Sequence, residues 1–111
     1  MIHKMKLNSE PFSAMLQGRK TVEMRLNDEK RQLIKERDFI EFYNRDTGEG
    51  LIARVVKVTV FKDFHQLYAS YDKTALGYLP DEDARAEDMS QYYDDEEIEK
   101  YGVMAIEIHR L

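Results

Sequence analysis

Along the first seven residues Met1, His3, Met5 and Leu7 alternate with Ile2, Lys4 and Lys6, a period of two that predicts a strand with one mostly apolar face. Phe12, Met15 and Leu16 then fall at helical spacing between Ser9 and Gly18. This is the pattern of a short amphipathic helix with Ser9 as N-cap, Pro11 in its first turn and Gly18 as its stop. From Thr21 to Leu26 the period returns to two, with Val22, Met24 and Leu26 on one side and Thr21, Glu23 and Arg25 on the other. Asp28 is placed to cap a turn or short helix through Leu33 and Ile34, and Phe39 to Tyr43 is an aromatic-rich strand. The Asp46, Thr47, Gly48, Glu49, Gly50 cluster predicts a turn that closes a hairpin onto Leu51 to Phe61. That second strand is apolar on both parities, which predicts burial on two sides. Asp63 caps a helical segment carrying Phe64, Leu67, Tyr68 and Tyr71, and residues 72 to 80 form a connection ending at Pro80. Residues 81 to 100 are acidic and compatible with a helix, and Gly102 to Leu111 is a last strand with Met104, Ile106 and Ile108 on one face.

Five strands interrupted by helices in irregular order do not match the regular alternation of a doubly wound sheet. The expected fold is α+β, mainly β: a small mixed β-barrel of about five strands with short helices, as a single domain over residues 1–111. A hydrophobic share of 42% with seven Tyr and five Phe supplies a core, where a disordered chain would be poorer in aromatic and β-branched residues. The longest apolar run, Val103 to Ile106, is far below the roughly 20 residues of a membrane-spanning helix. No apolar segment follows the basic residues near Met1, so no membrane partner and a cytoplasmic location are expected.

The formal charge of −5 hides an asymmetry. Residues 1 to 37 hold nine bases and five acids, a net of +4, whereas residues 81 to 100 hold ten acids and two bases, a net of −8. The acidic stretch reads as a solvated helical face. An acidic domain is poorly suited to duplex binding through many phosphate contacts, but a small basic cleft contacting one or two phosphates is compatible with it.

The absence of cysteine excludes disulfides, thiolate metal sites and a cysteine nucleophile, and His3, His65 and His109 are widely separated. No cofactor and no metal are expected. Gly18 to Arg25 is the stretch richest in chemistry: Thr21, Glu23 and Arg25 put a hydroxyl, a carboxylate and a guanidinium in one row, with Lys20 at its mouth. On an exposed strand face these charges would form a weak surface pair, and their replacement would change stability by about 0.5 kcal/mol or less. Tyr68, Tyr71, Tyr78, Tyr92, Tyr93 and Tyr101 are mainly core and rim candidates, some of them available to stack on bases.

The strand with His3, the helix with Phe12, the pattern GxKxxExR at Gly18, Lys20, Glu23 and Arg25, Asp38 opening a strand, and a closing strand after Tyr101 and Gly102 together resemble the ASCH (activating signal cointegrator homology) domain family. The resemblance implies a PUA-like barrel and a cleft, lined by this motif, that binds RNA or a nucleoside. In that cleft Lys20 and Arg25 would contact a phosphate or polarise a carbonyl, Glu23 would hold Arg25, and Thr21 would add a hydrogen bond. One branch of the family deacetylates acetylated cytidine with a Lys, a Thr three residues later and a distant Glu. Lys20 matches the Lys, but Glu23 stands where that branch has its nucleophilic Thr, and Thr21 matches only the neighbouring position. A carboxylate there could instead activate water, so Lys20 and Glu23 are the catalytic candidates of an alternative hydrolase or ribonuclease reading. Asp81, Glu82, Asp83 and Glu87 are equal candidates for a distant acid. A protein-interaction module is the third alternative, and the oligomeric state is left open.

Overall fold

In the computed structural model, which describes residues 1–111, the chain runs β1 (Ile2–Leu7), α1 (Ser9–Leu16), β2 (Val22–Leu26), β3 (Phe39–Asn44), β4 (Gly50–Phe61), α2 (Phe64–Ala69), α3 (Asp95–Tyr101) and β5 (Val103–Arg110). Short 3-10 turns occupy Arg31–Leu33 and Ala86–Gln91. The strands form one sheet in the order β1-β3-β4-β5-β2. β1 pairs with β3 in parallel, and every other neighbouring pair is antiparallel. The expected mixed barrel is thus a curled sheet, a half-barrel whose two edges are β1 and β2.

Two cores lie on opposite faces of β5. Met104, Ile106 and Ile108 face the larger one, with Phe12 and Met15 of α1 and Ile40, Phe42 and Val55 of the sheet. Val103 and Ala105 face the smaller one, with Val22, Met24, Phe64, Leu67 and Leu76. β5 is therefore the strand buried on two sides, and truncating Ile106 to Ala would cost about 2–5 kcal/mol. β4 does not meet the same expectation. Its Leu51, Ala53 and Val55 are buried, but Ile52, Val56 and Val60 are 45%, 53% and 56% exposed. A bulge between Val55 and Lys57 shifts its register against β5.

Local signals are realised with three corrections. Gly18, at φ +79°, provides the left-handed exit from α1. The N-cap position belongs to Asn8 rather than Ser9, whose hydroxyl instead donates to the Asp46 carboxylate at 2.6 Å and the Asn44 side chain at 3.2 Å, tying α1 to the β3–β4 turn. Asp63 caps α2 by accepting from the Gln66 N–H at 2.9 Å, but the helix ends at Ala69, and Tyr71 beyond it packs edge-on against Phe61. The acidic stretch is solvated, with every carboxylate but Asp88 exposed, but it is not one helix: it folds as a 3-10 turn and α3, buries Met89, and uses Asp88 to accept from the Tyr78 hydroxyl at 2.7 Å. No helix is long and apolar enough to cross a membrane.

Candidate functional site

β2 pairs with β5 so that Glu23 stands opposite Ile106 and Arg25 opposite Met104. Directly opposed residues share a face of the sheet. Since Ile106 and Met104 belong to the larger core, Glu23 and Arg25 point into the half-barrel, while Val22 and Met24 point into the smaller core. The polar row on β2 is thus an inner face, and its charges are not surface charges: Lys20 and Glu23 are 4% and 5% exposed. This overturns the expectation of a weak exposed pair.

The buried charges form a closed set of contacts. Glu23 Oε2 accepts from Arg25 Nε at 2.8 Å and lies 2.8 Å from Nη2. Glu23 Oε1 accepts from the Met24 N–H at 3.2 Å and lies 3.4 Å from Lys20 Nζ. Lys20 Nζ also donates to the carbonyls of Val22 at 2.7 Å and Leu76 at 2.9 Å, so its three protons have three acceptors. Burial pushes the Lys20 ammonium below its ordinary value, further than Glu23 raises it. Burial works to raise the Glu23 carboxyl, but Arg25 and then Lys20 overcome it and hold it below the usual carboxylate range. Burial works to lower Arg25, but Glu23 and then Tyr93 overcome it and the group is raised.

Above this cluster lies a cleft of about 390 Å³. Lys20, Glu23 and Arg25 line its floor, Lys6, Arg19 and Arg45 add positive charge, and Tyr78, Tyr92 and Tyr93 add aromatic surface. Arg19 Nε is buried there without a hydrogen-bond partner. Of the four motif residues expected around the cleft, Thr21 is not among its lining: its side chain is exposed, and its main chain bonds to Ala75 and Ile108. Of the four candidate distant acids, Glu82 lines the cleft and Asp81, Asp83 and Glu87 do not. The histidines lie apart, with His3 2.8 Å from Asp38, His65 3.8 Å from Glu87, and His109 exposed on β5.

Beside Tyr78, already an aromatic candidate, Leu76 and Gly77 form a wall that no sequence pattern indicated. Gly77 has φ +113°, and a Cβ there would sit 3.1 Å from Lys20 Cδ, so this loop packs directly on the lysine stem. Burial, with Tyr68 and Asp88 beside it, pushes the Tyr78 hydroxyl far above its ordinary range, and it remains a donor. A Gly-Tyr-Leu-Pro run announces a turn, but nothing local says that the turn crosses Lys20.

The ASCH domain family model matches residues 5–111. Hypothetical protein PH0355 is similar over 100% of both chains at 33% identity, with a TM-score of 0.85. Protein PF0455 from Pyrococcus furiosus is 36% identical over 100% of this chain and 98% of its own, with a TM-score of 0.71. An ASCH protein from Zymomonas mobilis shares the fold at 18% identity, over 97% of this chain and 66% of its own, with a TM-score of 0.68. No curated protein matches the chain. The curled mixed sheet agrees with a PUA-like fold, and with a family match over residues 5–111 the chain belongs to the ASCH domain family.

Proposed function

We propose that the protein is an RNA-binding module that takes one unstacked nucleotide into the cleft. The observation that carries this reading is the Arg25 guanidinium, held in place by Glu23 on the floor of a cation-lined cleft with tyrosine walls. Nε and Nη2 bond to Glu23 and the Lys6 carbonyl and the Tyr93 hydroxyl stands beside the guanidinium, so a phosphate or base carbonyl in the cleft would share Arg25 with Tyr93. Lys6 and Arg45 are exposed at the rim and supply further anion contacts. Tyr92 is 50% exposed and offers a ring face for base stacking, whereas Tyr93 is already stacked on Phe64. Glu10 and Glu82 offer acceptors to the amino groups of a base.

Binding is favoured over hydrolysis by the state of the two catalytic candidates. A general base needs a free lone pair and a pKa near the working pH. Glu23 is ringed by four donors and held below its ordinary value, and Lys20 has its protons committed to three acceptors. In this reading they position Arg25 and Gly77 rather than transfer protons.

The test is the change in melting temperature with 5′-mononucleotides and short single-stranded RNA, since a ligand that binds only the native state raises stability. Tyr92→Ala should weaken RNA binding by about 1–3 kcal/mol with the fold intact. Release of cytidine from acetylated cytidine by the wild type, lost in a Glu23→Gln variant shown to be folded at the assay temperature, would replace this reading with the hydrolase. No stabilisation by any nucleotide would remove it.

A further inference from the structure

The cleft does not end at Arg25. Between β1 and the turn at Arg31–Leu33 lies a second recess of about 480 Å³, and it shares Lys6, Arg25 and Arg45 with the first. The two form one trough across the gap between the edge strands. The other polar groups of the recess are His3, Lys4, Lys30 and Arg31, and no carboxylate lines it. Arg31 is paired with Asp28 at 2.6 Å, but Lys4, Lys6, Lys30 and Arg45 are exposed and make no ion pair. The carboxylates on the rim of the trough, Glu10 and Glu82, lie in the first cleft only. The trough is therefore polarised, mixed in charge and aromatic at one end and lined by basic side chains at the other, where Asp38 and Asp28 pair His3 and Arg31 from outside the lining and Glu41 stands beside Lys4 across the β1–β3 pair.

We propose that the second recess is a phosphate subsite, so that the ligand is a single-stranded oligonucleotide whose backbone leaves the nucleotide cleft past Arg25 and runs over Lys4 and Lys30. This rests on reading the first cleft as a nucleotide site. Unpaired like charges gathered in one recess repel each other, and a phosphodiester chain relieves that repulsion while releasing its own counterions. Each recess has a volume in the range of small-ligand sites, and Arg25 stands between them, placed to contact the phosphate that joins two neighbouring nucleotides. The lack of carboxylates at this end sets the direction: a backbone leaving the other way would meet Glu82 and the acidic segment around it.

The experiment compares wild type with the Lys4→Ala, Lys30→Ala double variant by fluorescence anisotropy, using a labelled, short, mixed-sequence single-stranded RNA, with the 5′-mononucleotides as competitors. Both lysines are exposed and unpaired, and an unchanged melting temperature checks the fold. The variant should bind the RNA at least about tenfold more weakly at low salt, with the slope of log K against log salt reduced by about 1.4, at roughly 0.7 per single-strand phosphate contact. Its mononucleotide affinity should be unchanged. Unchanged RNA affinity and slope, with mononucleotides still bound, would overturn the second subsite and leave the first cleft standing. A wild type that binds neither mononucleotide nor RNA would overturn the nucleotide cleft itself and the subsite with it. Binding of an oligoglutamate peptide that depends on Lys4 and Lys30, with no RNA binding, would assign the recess to an acidic protein segment instead.

Discussion

The guanidinium of Arg25 on β2 donates to the main-chain carbonyl of Lys6 on β1 at 3.0 Å. β1 and β2 are the two edges of the sheet, so this bond spans the open side of the half-barrel. The same side chain is held by Glu23, which ties the floor of the cleft to the spacing of the edges. One side chain thus contacts both the floor of the cleft and the opposite edge of the sheet.

Arg25→Lys keeps the charge but loses the planar fork, so it cannot hold Glu23 and the Lys6 carbonyl in the same way. The expected loss is about 1–3 kcal/mol in urea unfolding. Arg25→Met, which leaves Glu23 short of a charge partner, should cost more, about 3–5 kcal/mol. Equal losses for the two variants would mean that the charge at this position contributes little.

Lys20→Met and Glu23→Gln should each destabilise well beyond a surface pair: Glu23→Gln leaves Lys20 and Arg25 buried without their counter-charge, and Lys20→Met takes one of two cations from Glu23 and the donor from the Val22 and Leu76 carbonyls. The double variant should lose less than the two single losses added together, because the shared contact is lost only once. A double-mutant cycle by denaturant titration measures the difference. Additive losses would show that the two groups are not coupled.

Gly77→Ala should lower the melting temperature and weaken ligand binding together. The residue holds φ +113°, and the new Cβ would lie 3.1 Å from Lys20 Cδ, so the loop must move off the lysine that the Leu76 carbonyl holds. A cost of about 1–3 kcal/mol is expected from the backbone conformation alone. Thermal unfolding and mononucleotide binding on the same sample check both effects.

Asp38 gives the fold an acid limit of its own. Its hydrogen bond with His3, helped by the Lys35 N–H, holds the carboxyl at about 2, against an ordinary 3.8. A carboxyl depressed in the folded state contributes stability that is complete above the unfolded value and disappears as pH falls through the folded one. That contribution should therefore be lost between pH 3.8 and about 2. Asp38→Asn should be less stable than wild type at neutral pH, and the gap should close across that window when unfolding is followed as a function of pH.

Periodicity and local chemistry made most of the elements legible. Alternation over Met1 to Leu7 and Thr21 to Leu26, Gly18 as a stop, Asp63 as a cap and the turn before β4 are realised because each depends on neighbours a few residues away. The GxKxxExR spacing likewise placed Glu23 and Arg25 on one face of a strand, since alternate positions share a face, with Lys20 just ahead of it.

Which face of a strand is covered is not written in its own period. Ile52, Val56 and Val60 are as apolar as buried residues, yet they stay exposed, while β5 is buried on both sides because Phe64, Leu67, Leu76 and Met89 from elsewhere in the chain pack on Val103 and Ala105. The same physics governed the site. Which residue types stand on β2, and in what order, follows from the chain alone. Only the tertiary structure, by pairing β2 with β5, laying the Gly77 loop over Lys20 and bringing Lys6 to Arg25, decided that these charges are buried, that Thr21 is left outside the cleft, and that the cations of β1 and the turn after β2 continue the trough. Long-range pairing chooses the face, and burial then sets how strongly each charge interacts.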